Sequence, residues 1–256
     1  MTLAERAAVA RANVVGTYVT LAAGLAETQV MQKPGWIQVR SPIPLTLCNF
    51  WIQFDLQSDQ FDHLANEILA ATKDAQTFRL FIGEGDTPQD LAIRVSNLGM
   101  RLSNQLHQMV WTGAPPRTSV ELHFATTADA RYQVVRFMSE EFFRSQPRLF
   151  RDSVIQATVQ SGLGLAYVGA LREPEAAVML TEFPESCGLY NLVVRPSLRR
   201  KGLGEAVVRA VQAYASQKEC PLVLQTAPRL LGWYEKSDFL SAGDLKSFAP
   251  SGRNLL

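Results

Sequence analysis

The sequence predicts a mixed α/β (α+β) protein in which helices flank a central mixed sheet. Short runs rich in β-branched and aromatic residues alternate with longer runs whose apolar residues recur at helical spacing. Glycine, proline and polar residues separate these runs, as is typical of turns. With 256 residues, 47% of them hydrophobic, the chain can bury one large core or the cores of two ordinary domains.

The first half opens with a stretch rich in alanine and other helix formers. Its predicted elements are, in order, one or two helices over 3–26, strands Trp36–Val39 and Phe50–Phe54, a helix over Asp59–Thr72, strand Phe78–Ile82, and a helix from Pro88 to about Asn97. Thr87 is the expected N-cap of the last helix, because proline is favoured at the first helical position. The turn composition of segment 112–116 marks a boundary, so we expect domains over residues 1–115 and 117–256.

The second half shows clearer patterns. Its predicted elements are strand Val120–Phe124, a helix capped by Thr126 or Thr127 with the apolar stripe Val134, Phe137, Met138 and Phe142, a helix over Asp152–Gln160, strands Leu165–Ala170, Ala176–Thr181 and Leu189–Val194, a helix over Leu203–Lys218, strand Leu222–Gln225, and a short helix over Leu230–Lys236. The helix that begins at Leu203 is the clearest, because its apolar residues recur every three or four positions.

Composition and charge exclude several classes of protein. The formal net charge is +1, which disfavours a general polyanion binder, since such proteins carry a strong basic excess. The odd number of scattered cysteines (Cys48, Cys187 and Cys220) indicates free thiols in a reducing compartment. The chain has no secretory signal pattern and no run of about 18 apolar residues. We therefore expect a cytoplasmic protein without a membrane span.

The most informative segment joins the strand that ends at Val194 to the helix that begins at Leu203. Four of the seven residues in 195–201 are basic. A helix begins with unpaired amide groups and a partial positive charge, and Gly202 and Gly204 would let a phosphate approach that backbone closely. The segment predicts a local diphosphate site, with an ordinary strand–helix connection and solvated arginines as the alternative. Neither the Rossmann nor the Walker glycine pattern fits it.

The order Arg-x-x-Gly-x-Gly after a valine-rich strand resembles motif A of the GNAT acetyltransferase superfamily, with Arg199, Gly202 and Gly204 at the defining positions. A second segment, 224–239, is similar to the strand, short helix and Tyr-Glu-Lys-x-Gly-Phe ending of that family. Asp238 stands where the family commonly has glycine. The resemblance covers about Val120 to the C-terminus and implies a GNAT-like acyl-CoA N-acyltransferase fold there.

The resemblance also implies a reaction and its residues. Acetyl-CoA would be the co-substrate, and its acetyl group would pass directly to a small-molecule or peptide amine in a ternary complex. The loop amides would hold the coenzyme A diphosphate and the preceding strand would bind the pantetheine arm, with Leu192, Val193, Val194, Arg199, Arg200, Lys201, Gly202, Leu203, Gly204 and Glu205 as the cofactor-binding residues. Tyr234 would be the general acid near the thioester sulfur, although it can instead be a tyrosine that packs the last helix.

The general base stays open at this stage. Glu182, Glu185 and Tyr190 lie on or just before the motif strand, where family members often place a carboxylate or a water-holding group. Each can equally be an ordinary loop acid or a packed aromatic residue.

The remaining titratable and aromatic residues suggest no further chemistry. His63 and His107 are expected in helices and His123 in a strand, and no two of them form a metal-ligand pair, so we expect no metal site. The aromatic pairs Trp233–Tyr234 and Phe142–Phe143 are expected in the core, with a lining for an apolar acceptor as the alternative.

The first half lacks Arg-x-x-Gly-x-Gly, yet its order of elements resembles the first half of two-domain GNAT proteins. In that arrangement the N-terminal half is often a degenerate copy of the fold that has lost cofactor binding. A helical extension is the alternative. In either case the cleft between the halves is the expected acceptor site.

Two other functions stay open from the sequence. The same loop would serve a non-catalytic acyl-CoA-binding sensor, and segment 195–201 would serve a nucleic-acid-binding protein. The net charge of +1 disfavours the second. The sequence determines neither the acceptor nor the oligomeric state.

Overall fold

The computed structural model describes residues 1–45, 47–57 and 59–251; residues 46, 58 and 252–256, the last within the predicted second domain, lie outside the described residues. The helices of the described part are α1 Leu3–Ala23, α2 Phe61–Lys73, α3 Leu91–Asn97, α4 Ala128–Phe142, α5 Arg148–Gln160, α6 Leu203–Gln217 and α7 Leu231–Glu235. Its strands are β1 Gln29–Lys33, β2 Trp36–Arg40, β3 Phe50–Ile52, β4 Arg79–Gly83, β5 Met100–Trp111, β6 His123–Phe124, β7 Gly164–Ala170, β8 Glu173–Phe183, β9 Ser186–Val194, β10 Leu222–Thr226 and β11 Leu240–Pro250.

The strands form one sheet in the order β1-β2-β3-β4-β11-β5-β10-β9-β8-β7-β6. The pairs β3–β4 and β9–β10 are parallel, whereas the other neighbouring strands pair antiparallel. The sheet is therefore mixed, and helices pack on it. This confirms the predicted fold class.

The two halves of the chain exchange strands at the centre of the sheet. β5, from the first half, lies between β10 and β11, and β11, the last strand, lies between β4 and β5. β5 pairs with β11 along most of its length and with β10 from His107 to Trp111. The predicted domain boundary falls in the segment between β5 and β6 and stays a prediction.

Helices cover both faces of the sheet. α6 and α7 pack on one face of the second half, and α2 and α3 pack on the same face of the first half. α1, α4 and α5 lie on the opposite face. Side chains alternate accordingly along β10: Leu222 and Leu224 pack toward α6, whereas Val223 packs against Ala10 of α1.

A buried polar cluster holds α1 against the second half. The side-chain oxygen of Asn13 accepts hydrogen bonds from the hydroxyls of Tyr190 (2.8 Å) and Thr181 (3.3 Å), and its amide donates to Ser186 (2.9 Å). A Cβ at Gly188 would overlap with Asn13, Thr181 and Tyr190. Glycine at this position therefore lets α1 approach β9 closely enough to satisfy these buried groups.

The sequence patterns did not predict β1, β5 or β11, and the helical prediction for His107 was wrong. His107 lies in β5, whose residues 101–104 are exposed and whose residues 108–111 are buried. This strand lacks the regular alternation that indicates a strand. Its conformation depends on pairing with β10 and β11 on either side.

The prediction that Thr87 caps α3 was also wrong. α3 begins at Leu91, and no side chain caps it. The Thr87 amide instead donates to the Phe54 carbonyl oxygen (2.9 Å), and the Leu56 amide donates to the Thr87 carbonyl oxygen (3.2 Å). Backbone pairing beyond the end of β3 thus takes Thr87 out of the capping position.

Two smaller differences concern β6 and α4. β6 contains only two residues, His123 and Phe124, of the five predicted. Thr127 rather than Thr126 caps α4, because its hydroxyl accepts a hydrogen bond from the Ala130 amide (3.2 Å). Phe142 is 45% exposed and therefore does not belong to the buried stripe of this helix.

Candidate active site

A cleft opens where β9 and β10 part. Their parallel pairing is limited to Cys187–Leu189 of β9 and Leu222–Leu224 of β10. β9 continues to Val194 and β10 to Thr226 without further pairing between them. The backbone edge of β9 beyond Leu189 is therefore not paired to β10. A ligand that binds alongside a strand needs such an unpaired edge.

A β-bulge marks the point where the strands part. The register between β8 and β9 shifts between Ala177 and Met179, and Asn191 adopts a left-handed conformation with φ 52°. Asparagine tolerates this conformation better than a branched residue does. Sequence patterns did not single out Asn191, although a single polar residue within the apolar run of β9 was an available signal.

The loop after β9 leads into an uncapped helix N-terminus. Gly202 precedes α6 with φ 84°, and no side chain caps the helix. The amides of Leu203, Gly204 and Glu205 have no hydrogen-bond partner among the described residues. These donors lie beside a cavity of about 300 Å³ that is lined by Val194, Arg199, Arg200, Gly202, Gly204, Glu205 and Trp233. The geometry suits an anion, because the free amides and the helix dipole both favour negative charge.

The two glycines of the loop leave open space. A Cβ at Gly202 would meet nothing within 4 Å. A Cβ at Gly204 would lie 3.6 Å from the Trp233 ring and 3.7 Å from Val194, which is ordinary contact. The protein itself therefore does not fill the space above the amides, and Trp233 forms one wall of it.

Two of the four predicted basic residues are engaged within the protein. Arg195 donates two hydrogen bonds to the Pro174 carbonyl oxygen (3.1 and 2.9 Å). Arg199 donates to the Val194 carbonyl oxygen (2.8 Å) and pairs with Glu141 (2.8 Å). Both guanidinium groups thus fasten the loop to the neighbouring strand and helix.

Arg200 and Lys201 differ from these two. Both are exposed, and neither has an ion-pair partner within the part of the chain that the structure describes. Arg200 also has a left-handed backbone, with φ 61°. Of the four basic side chains expected to screen the anion, only these two are therefore available to it.

Tyr234 is buried near the loop. Its ring packs edge-on against Trp233 (4.6 Å between centroids) and Phe239 (5.7 Å). Burial raises the pKa of Tyr234 to about 12. Its hydroxyl has no hydrogen-bond partner among the described residues, so the side chain is a protonated phenol at neutral pH with its proton free to be donated.

Residues 131–239 match the sequence model of the acetyltransferase (GNAT) family. The parted strands, the uncapped loop and Tyr234 all lie inside this range. This segment is a GNAT domain. This confirms the GNAT resemblance that was inferred from the sequence motifs. No curated protein sequence matches this chain.

Solved structures extend the similarity to nearly the whole chain. A GCN5-related N-acetyltransferase from Kribbella flavida is 13% identical, with a TM-score of 0.65 over 96% of this chain and 97% of that one. A conserved protein of unknown function from Staphylococcus epidermidis is 12% identical, with a TM-score of 0.62 over 88% of this chain and 95% of that one. A tandem GNAT protein from the clavulanic acid biosynthesis pathway is 14% identical, with a TM-score of 0.56 over 84% and 78%.

At these identities the structures show the fold. The family match supports acyltransferase activity, as the sequence predicted.

The candidate bases lie in different parts of the GNAT domain. Glu182 accepts a hydrogen bond from the Tyr214 hydroxyl and pairs with Lys218 (3.0 Å), and the hydrogen bond from Tyr214 lowers the pKa of Glu182. It lies opposite Cys187, at the paired end of β9 away from the loop. Glu185 is exposed in the turn before β9. Tyr190 is buried and bonded to Asn13, and burial raises its pKa.

One further pair of titratable groups lies beside the GNAT domain's cleft. The His107 Nδ1 atom of β5 lies 2.6 Å from the Asp244 Oδ1 atom of β11. Sequence patterns did not predict this pair, because its members are 137 positions apart in the chain and no local pattern joins them.

Among the described residues, no group of three or more histidine, cysteine, aspartate or glutamate side chains is arranged to hold a metal ion. No helix in the described ranges is long and apolar enough to span a membrane. The cysteines are less scattered than expected, because the sulfur atoms of Cys187 and Cys220 are in contact.

Proposed function

We propose that this protein is an acetyl-CoA-dependent N-acetyltransferase that passes the acetyl group directly to an amine in a ternary complex. The observation that carries the proposal is the uncapped N-terminus of α6, whose free amides adjoin a cavity next to the parted strands. A diphosphate at the loop and an extended thioester arm along β9 would use both features at once.

The chain's own groups divide the binding of coenzyme A between loop and strand. The amides of Leu203, Gly204 and Glu205 would hold the diphosphate, and Arg200 and Lys201 would neutralise it. Alternate residues of a strand direct their backbone groups to opposite sides. Because the Val194 carbonyl oxygen already faces the loop, Leu192 would offer its backbone to the pantetheine arm on the same open edge.

The proposed set of coenzyme A-binding residues includes every residue that the sequence indicated. It consists of Leu192, Val193, Val194, Arg199, Arg200, Lys201, Gly202, Leu203, Gly204 and Glu205. In this set, Arg199 acts by fixing the loop to Val194 and Glu141 rather than by reaching the phosphates.

Tyr234 supplies the proton that the departing sulfur needs. A bound acetyl-CoA would provide the activated acyl carbon, and no covalent enzyme intermediate is required for direct transfer to an amine. A phenol whose pKa burial raises to about 12 stays protonated at neutral pH and can donate to a developing thiolate. The acceptor would be a small-molecule or peptide amine.

A groove of about 1100 Å³ is the proposed acceptor entrance. It lies between α1 and the loop after β4 and extends to Asp244 and Lys246 of β11. Because β11 joins the two halves of the sheet, this groove fits the expected place of an acceptor between the halves. We also propose that the boundary between the two domains lies at residues 115–117 and that the protein is cytoplasmic.

Calorimetry with acetyl-CoA tests the cofactor site. Replacing both Arg200 and Lys201 with alanine should weaken binding at least about 10-fold, because one charge-assisted hydrogen bond contributes about 1.5 kcal/mol or more. The matched control is Arg148→Ala with Arg172→Ala, which removes the same charge from exposed positions outside the loop. Equal affinities of the two double variants would remove the loop from the binding site.

An amine panel then tests transfer, with released thiol as the readout. Thiol release that depends on one class of amine would identify the acceptor. Acetyl-CoA binding without transfer to any amine would favour a non-catalytic acyl-CoA sensor. Affinity for DNA or RNA at physiological salt, together with no affinity for coenzyme A, would favour the nucleic-acid alternative.

A further inference from the structure

The pair His107–Asp244 has the form of an oriented base. The Asp244 Oδ1 atom lies 2.6 Å from His107 Nδ1, and the Asp244 Oδ2 atom accepts a hydrogen bond from the side-chain amide of Gln105 (2.8 Å). Both carboxylate oxygens are therefore engaged, and the carboxylate holds the imidazole with its proton on Nδ1. The Nε2 atom has no partner among the described residues. The lone pair of a neutral His107 is thus on the free nitrogen.

The strand exchange brings this base to the GNAT cleft. His107 pairs directly with Thr226, the last residue of β10, two residues beyond the last pair between β9 and β10. Neighbouring strands lie about 4.8 Å apart. His107 therefore lies one strand away from the wall of the cleft, at the level where that cleft is open.

His107 also shares a face of the sheet with the proposed acid. Met109, two residues along β5, packs in the same core cluster as Leu224 and Tyr234. Side chains two positions apart on a strand point to the same face, so His107 and Tyr234 lie on the same side of β10. The side chains of His107 and Asp244 are 24% and 30% exposed, which leaves the imidazole within reach of an incoming molecule.

The proposed acceptor groove reaches the Asp244 member of the pair. The cleft begins beyond Thr226. β11 and β5, which carry Asp244 and His107, are the two strands between them. The pair therefore lies between the proposed acceptor groove and the cleft in the strand order.

We propose that His107 is the general base of the transfer reaction and that Asp244 is its positioning residue. The proposal rests on the proposed N-acetyltransferase function. The His107 Nε2 atom takes one proton from the acceptor ammonium and later releases it to solvent. The neutral amine forms the C–N bond as the C–S bond breaks. Tyr234 gives its proton to the sulfur and regains one from the amide nitrogen, so that the products are the acetylated amine, coenzyme A thiol and one proton.

The other histidines do not compete for this role. His63 lies on α2 beside Glu67 (3.6 Å) and the Trp36 ring. His123 lies on β6, at the far edge of the sheet, three strands beyond β9. His107 alone of the three histidines neighbours β10.

Nuclear magnetic resonance of the histidine side chains tests the inference without an acceptor. The chain has three histidines, so each imidazole can be assigned by substitution. We expect neutral His107 to carry its proton on Nδ1 and its signals to shift when acetyl-CoA is added, while those of His63 stay. A proton on Nε2, or no response to acetyl-CoA while the loop amides respond, would overturn the proposal.

Variants separate positioning from packing. Asp244→Ala should release the Nδ1–H tautomer into a mixture. Asp244→Asn should favour the Nε2–H tautomer, because the Asn oxygen would accept from Gln105 and its NH2 group would donate to Nδ1. A purely structural Asp244 would leave the tautomer unchanged in both variants, which would contradict its positioning role.

Transfer kinetics complete the test. With an amine from the panel, His107→Gln should lower kcat by about 100-fold or more, the usual contribution of a general base, while the affinity for acetyl-CoA stays the same. His63→Gln, at an exposed position on α2, should leave kcat unchanged. Full turnover by His107→Gln would overturn the proposal. If the unaltered protein acetylates no amine, the proposed function fails, and the tautomer and its response to acetyl-CoA still decide whether His107 is a free base at the cleft.

Discussion

At the scale of single residues, burial suits Tyr234 to the proposed role of acid, and hydrogen bonding suits His107 to the proposed role of base. Burial raises the pKa of Tyr234 to about 12, so the phenol keeps its proton throughout the neutral range. Asp244 holds His107 so that its free nitrogen can accept a proton. The proposed acid and the proposed base therefore lie on the same face of the sheet.

Tyr234→Phe should lower kcat by about 100-fold with little change in acetyl-CoA affinity, because it removes the donor and keeps the ring packing. Since the folded-state pKa is raised, the donor should stay protonated until the pH approaches 12. Steady-state kinetics together with calorimetry measure both quantities.

The control for this variant is Tyr132→Phe on α4, where the side chain is 45% exposed. It should leave both kcat and affinity unchanged. A Tyr234→Phe protein with full turnover would remove Tyr234 from the mechanism and return it to its packing role.

At the scale of secondary-structure elements, the two parallel strand pairs are arranged alike but end differently. Gln53 follows β3 with φ 63°, as Asn191 lies in β9 with φ 52°. Beyond β9 the cleft is open, whereas beyond β3 the backbone of Phe54 is bonded to Thr87. This similarity supports the proposal that the first half is a degenerate copy whose cleft has been closed by its own chain.

The same closed end depends on Asp86. Its Oδ1 atom accepts hydrogen bonds from the Arg11 guanidinium (2.7 Å) and the Phe54 amide (3.1 Å), and its Oδ2 atom accepts from the Gly83 amide (2.7 Å). Burial raises the pKa of Asp86 to about 6, and these donors act in the opposite direction, so the carboxyl is mainly ionised at neutral pH.

Asp86→Ala should therefore lower the free energy of unfolding by about 3 kcal/mol, because the Phe54 and Gly83 amides lose their acceptor and the half-buried Arg11 guanidinium keeps only the more exposed Asp55 as its ionic partner. Equilibrium denaturation in urea at neutral pH measures the change.

Asp90→Ala provides the matched comparison. Asp90 pairs with Arg94 (2.8 Å) on the surface of α3, where both side chains are more than 40% exposed. Its loss should cost less than about 1 kcal/mol. If the two variants were equally stable, the Asp86 hydrogen bonds would not be what closes the end of β3.

At the scale of the whole molecule, strand exchange makes the two halves depend on each other. β10 and β11 are not neighbours in the sheet, and β5 from the first half pairs with both. α1, also from the first half, contributes Asn13 to the buried cluster around Tyr190. The GNAT domain therefore lacks its central strand and part of its core when the first half is absent.

Residues 117–256 produced alone should show no cooperative unfolding transition, because β10 and β11 would have unpaired edges and Tyr190 would lose its hydrogen-bond partner. Mixing with residues 1–116 should restore a single transition and acetyl-CoA binding. Circular dichroism melts and calorimetry measure the two effects. A cooperative transition of 117–256 alone would show instead that the second half folds independently.

Sequence patterns were sufficient for the loop and for α6. The glycines, the basic residues and the helical spacing from Leu203 onward all lie within a short segment, and the conformation of Gly202 follows from local chemistry. The same patterns could not separate Arg195 and Arg199, which bond within the protein, from Arg200 and Lys201, because the partners Pro174 and Glu141 come from other elements.

The sequence by itself therefore determined the mixed α/β class, the GNAT loop and Tyr234 as a candidate, since each depends on residues close together in the chain. Only the tertiary structure decided the strand order that inserts β5 between β10 and β11 and so pairs His107 with Asp244 and Thr226. The physical reason is that cross-strand contacts depend on which distant segments pair, and the edges of β5 satisfy their backbone hydrogen bonds only in that assembled sheet.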